Sequence, residues 1–166
     1  MINQSDLFIK MVLDAWNTQL TSTDKLFQSL SHEQLTKEVA PGKNTGVYLL
    51  GHLVAVHDAL FQVLGIGNKL YPELEEIFIN QPDKSGMKQP TTDELKNWWS
   101  IVNNKLTEYF TQFTPEDWFQ KHNAVSEEDF GKEPHRNKLN IIVNRTNHLA
   151  NHLGQLIFLQ DKKVEE

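Results

Sequence analysis

The chain has 166 residues, no cysteine, and 16 Lys plus Arg against 22 Asp plus Glu, a formal net charge of −6. That length suits one domain over residues 1–166 and buries a core without staples, while the missing thiols exclude disulfides, thiolate zinc sites, iron–sulfur ligation and a cysteine nucleophile. The acidic balance argues against a protein that neutralises nucleic-acid phosphates. MINQSDLFIK has no cationic start followed by an apolar stretch, and no apolar run approaches the roughly 20 residues that cross a bilayer. The expectation is a soluble cytoplasmic protein with no membrane and no nucleic-acid partner.

Four segments carry apolar residues at spacings of three and four and none sustains a period of two, so the fold class is all-α, a four-helix bundle with long connections. The first helix is expected from about Ser5, read as its N-cap, to about Leu30. Its inner side would carry Leu7, Phe8, Met11, Val12, Ala15, Trp16, Leu20, Phe27 and Leu30. Pro41-Gly42 breaks the following segment. A second helix opens at Asn44 or Thr45 and continues to about Leu64.

This second helix has two apolar stripes, one of Leu49, Val56, Ala59 and Val63 and one of Leu50, Leu53, Leu60, Phe61 and Leu64. It is therefore central or shared with a partner, and a homodimer is the simplest way to cover the second stripe. Residues 65–89 are turn-rich, with one short helix around Glu73 to Ile79, and no chemistry is expected there. A third helix opens at Thr91 or Thr92 and runs to about Phe113. Residues 114–137 form a long, largely acidic connection of the kind used as a lid or crossover. The fourth helix spans about Asn137 to Asp161.

In that helix the run NHLANHLGQL, residues 147–156, places His148 and His152 four positions apart, which stacks two imidazoles on one face. A rotation of 100° per residue puts Leu139, Ile142, Leu149, Leu153, Leu156 and Ile157 on an apolar arc, with both histidines at its border. The competing reading is a pair of satisfied, half-buried histidines. On the second helix the same rotation aligns His52 with an inward stripe and makes it the natural third ligand. His57, offset by about 140°, falls to packing or an interface, and His32, His122 and His135 to connections and the surface.

Three histidines from two helices leave a coordination position open, as catalytic sites do. Leu149 stands where H-E-x-x-H requires its glutamate, which removes a zincin protease. The Glu-x-x-His pairs of a di-iron bundle are absent from the core faces.

The segment NTGVYLLGHL and the later HLANHLGQL resemble the DinB/YfiT-like superfamily of small four-helix-bundle metalloenzymes, over nearly the whole length and in the same order. The resemblance implies His52, His148 and His152 as metal ligands, with water or substrate completing the shell. It also implies a divalent cation such as zinc or nickel, a homodimer, and in some relatives an external low-molecular-weight thiol used for S-transfer or isomerisation. Gly154 and Gln155 belong to the same pattern. Gly154 reads as a close helix approach, and Gln155 as a hydrogen-bond partner of a ligand imidazole or a backbone carbonyl. Arg145, three positions before His148 on the same side, is a candidate for a substrate or cofactor carboxylate, with a surface salt bridge as the competing role.

Two functions remain in competition. One is a metal-dependent transferase or hydrolase acting on a small-molecule substrate. The other is a non-catalytic dimeric helical binding protein whose histidines are structural or vestigial and whose acidic connection recognises a partner. No catalytic residue beyond the ligands is assigned by the sequence.

Overall fold

Side-chain caps open each long helix. In the computed structural model, which describes residues 3–161, α1 runs Gln4–Ser29 behind Asn3, whose side chain accepts from the Ser5 amide. A short α2, His32–Leu35, follows a capping box of Ser31 and Gln34. Helix α3, Gly46–Asp58, is capped by Thr45, and α5, Thr92–Phe110, by a Thr91–Glu94 capping box. Helix α8, Lys138–Leu156, is capped by Asn137 and ends in a 3₁₀ turn, Ile157–Leu159. Each such cap satisfies amides that the first helical turn leaves without partners.

The expected second helix is divided at Ala59 into α3 and a four-residue α4, Leu60–Val63. Helix α1 packs along α8 and α3 along α5, while α3 also meets α8 and the short π-helix Glu76–Asn80. With neighbours on several sides, α3 is buried nearly all round: Leu50, Leu53 and Val54 are inaccessible, and so are Leu60 and Leu64 just beyond it. Each fully buried leucine contributes about 1.5–3 kcal/mol. The second apolar stripe is thus covered within the chain and gives no reason for a partner. Gly46–Val63 is also long and apolar enough, by composition, to be compared with a membrane span, and it is mostly buried here.

Other expectations need correction. The inner face of α1 is Ile9, Trp16, Leu20, Thr23, Leu26 and Phe27, whereas Leu7, Phe8 and Met11 are half or more exposed and Ala15 is exposed. Helix α5 stops three residues early, at Phe110. Residues 114–137 hold two short helices, α6 (Pro115–Phe119) and α7 (Glu127–Lys132), and bury Trp118, His122 and Val125. His122 is therefore no surface residue, and its Nδ1 accepts from the Ala124 amide. The acidic side chains project outward around an apolar anchor, so the segment is packed where Trp118 and Val125 lie.

The loop after α4 is tied back to α3. Asp58, fully buried, accepts from the amides of Leu70 and Tyr71 at 2.7 and 2.9 Å. Burial raises its pKa and these two hydrogen bonds oppose the rise. That tether fixes the start of the strand-free segment leading to the π-helix.

Candidate metal centre

His52 extends from the middle of α3, and His148 and His152 from successive turns of α8. Their Nε2 atoms converge: His148 Nε2 lies 3.2 Å from His52 Nε2 and 3.1 Å from His152 Nε2. Two ligands of a tetrahedral ion at about 2.0–2.1 Å sit about 3.3 Å apart, and two at right angles about 2.9 Å. The observed spacings fall between those limits.

Proton bookkeeping explains why the convergence is unusual. His52 Nδ1 is 2.8 Å from the Phe78 carbonyl oxygen, so this nitrogen donates and leaves Nε2 with a bare lone pair. His152 Nδ1 donates in the same way to Gln155 Oε1 at 3.0 Å. His148 Nε2 faces both lone pairs, and a single N–H can donate to only one of them. A cation satisfies all three nitrogens at once, so the donor set fits a divalent metal.

The electrostatics agree. Burial is the largest cause lowering the pKa of His52, opposed by the Phe78 carbonyl. Burial, followed by the neighbouring His152, His52 and Arg145, brings His148 down to about 4. Both imidazoles are neutral near pH 7, which is the form that ligates. His148 Nδ1 is buried without a hydrogen-bond partner. Among the described residues no other group of three or more His, Cys, Asp or Glu side chains converges in this way.

One functional group lies where no chemistry was expected. The Phe78 carbonyl belongs to the π-helix Glu76–Asn80, in a last turn whose carbonyls lack intrahelical partners. Its place depends on Gly51: a Cβ there would meet the Phe78 ring at 2.4 Å. A glycine inside a helix costs about 1 kcal/mol against alanine, so Gly51, next to His52, was the available sequence signal of a close approach. Gly154 behaves oppositely. It is exposed, and a Cβ would touch nothing within 4 Å, so the close helix approach read from the sequence is not found.

Gln155 also lines a groove of about 330 Å³ with Val39, Lys43, Asn44 and the exposed Phe158. Arg145 is partly buried, its Nε has no partner, and it forms no ion pair among the described residues, so the surface salt bridge is absent. His57 lies outside the cluster. It is inaccessible between the rings of Trp16 and Trp99, with centroids at 4.9 and 4.8 Å, and its Nδ1 donates to Asn103 Oδ1 at 2.7 Å.

Fold and site together define an all-α bundle carrying a facial group of three histidines from two helices. The chain belongs to the DinB superfamily, whose family profile matches residues 15–156. No curated protein matches it.

Proposed function

We propose that the protein is a metal-dependent enzyme of the transferase or hydrolase class, built on His52, His148 and His152. The observation that carries this reading is the meeting of three Nε2 atoms, two of them fixed as lone pairs by Phe78 and Gln155. A divalent cation such as zinc or nickel, when bound by three neutral ligands, supplies Lewis acidity that brings a water or thiol to a pKa near neutrality. The histidines hold and orient; Phe78 and Gln155 fix their tautomers and ring planes. Gln155 also stands in the wall of the adjoining groove, which offers space for an organic substrate.

Because the chain lacks cysteine, S-transfer here requires an external low-molecular-weight thiol. A homodimer belongs to the same proposal, supported by the exposed apolar side chains Leu7, Phe8 and Met11 of α1. The non-catalytic alternative keeps the fold but assigns the histidines no ion.

The deciding experiment is metal analysis of protein purified without a histidine tag, followed by a screen of thiols and electrophiles. One metal per chain, lost in His152→Ala, is the expected result. Wild-type protein that neither retains nor takes up zinc or nickel sinks the reading.

A further inference from the structure

The centre holds more positive charge than its ligands need. All three ligands are imidazoles, and no carboxylate joins the group. Arg145 stands on the same face of α8, three residues before His148. Its Nε is buried with no acceptor, and no nitrogen of its guanidinium is hydrogen-bonded or ion-paired to a described residue. Its field nonetheless reaches the imidazoles of His52, His57 and His148.

A half-buried guanidinium whose Nε has neither an acceptor nor a counter-ion among the described residues leaves part of its burial uncompensated. With a divalent cation on the histidines, the site would carry about three positive charges and no carboxylate paired to them among the described residues, inside a chain whose overall charge is −6. Hydrogen bonding and charge balance both call for an anion from outside.

We infer that Arg145 is an anion-recognition residue, and that the ligand of this centre is a metal-binding molecule carrying a carboxylate held by the guanidinium. The inference rests on the metal reading above and adds the substrate class. The planar fork of arginine suits a carboxylate, and a charge-assisted pair of this kind stabilises more than a neutral one. The same carboxylate chemistry can come from a thiol cofactor or from the co-substrate.

The test uses full-length untagged protein loaded with cobalt(II), whose visible spectrum reports ligation. The probes are 3-mercaptopropionate and 4-mercaptobutyrate, their uncharged amides, and propionate as a competitor. Wild-type protein is expected to bind at least one mercaptocarboxylate about tenfold or more tightly than its amide. Arg145→Gln should erase that preference while cobalt binding remains, and Arg145→Lys should restore part of it. Propionate in excess should weaken mercaptocarboxylate binding in wild type and not in Arg145→Gln, because both carboxylates seek the same guanidinium, and equal competition in the two proteins overturns the inference.

Melting separates recognition from structure. Arg145→Gln should melt no lower than wild type, since it removes an uncompensated charge, whereas a residue kept for packing would melt lower. A wild-type preference near unity, or one that persists in Arg145→Gln, overturns the inference while leaving the metal reading intact. Failure of cobalt to bind overturns both, and the absent cobalt spectrum distinguishes that case.

Discussion

His52 and His57 stand five residues apart on α3, and their surroundings differ in the one respect that makes an imidazole a ligand. Both donate through Nδ1, one to a carbonyl and one to an amide oxygen. Asn103 is itself oriented, since its Nδ2 donates to the Trp99 carbonyl. The difference is at Nε2: that of His52 faces two further imidazoles, whereas that of His57 is buried with no partner. A histidine becomes a ligand through what lies opposite its second nitrogen, not through burial or the partner of the first.

Exchanging their roles by mutation gives the largest expected effect. His52→Ala should abolish metal retention, measured by elemental analysis, with only a modest loss of stability. His57→Ala should retain the metal and lose about 2–4 kcal/mol in urea unfolding, because it opens a cavity between two tryptophans. Loss of metal in His57→Ala would break the comparison.

The pH dependence sharpens the same contrast. Burial, opposed by the Asn103 hydrogen bond and aided by Arg145, His148 and His52, lowers His57 to about 3. Between pH 6.5 and about 3 the unfolded chain therefore holds a proton that the native His57 refuses. Stability is complete above pH 6.5 and falls as the pH drops, by about 1.4 kcal/mol per unit for this one group. Urea melts of metal-free protein from pH 7 to 5 should show at least that slope, because His52 and His148 are lowered as well, and His57→Leu should reduce it by the share of this one group. An unchanged slope in that variant assigns the acid sensitivity elsewhere.

Smaller effects lie around His52 and His152. Gly51→Ala should push Phe78 away, costing about 1–3 kcal/mol and weakening metal affinity about tenfold as His52 loses its carbonyl. Gln155→Leu should weaken affinity by a similar factor with little change in melting, measured by chelator competition. Gly154→Ala is expected to stabilise α8 by about 0.5–1 kcal/mol, since helical backbone favours alanine and nothing occupies the space.

The contrast also marks what a linear reading can reach. Helical periodicity located α1, α3, α5 and α8, and the spacing of His148 and His152 with the inward register of His52 indicated the cluster before any coordinates. A backbone carbonyl has no letter of its own, so Phe78 was invisible except through Gly51. The exposure of Leu7, Phe8 and Met11 depends on which side of α1 its neighbours α8 and α6 occupy, which periodicity along α1 does not encode. Helical register assigns His57 to packing or an interface, but its orphaned nitrogen and the missing counter-ion of Arg145 are properties of three-dimensional neighbourhoods. Gly154 shows the reverse error: a motif position was given a packing cause that its open surroundings do not supply.

The Asp58 tether has a consequence for the order in which the centre is assembled. Asp58 binds amides 12 and 13 residues ahead, and His52 binds a carbonyl 26 residues ahead, so one helix and its own return loop complete that arm. The partner imidazole of His148 is 96 residues away. Contacts of short sequence separation close at lower entropic cost. On that ground His52 is expected to be aimed before α8 docks, and cation uptake during refolding should then serve as a clock for the last step of the fold.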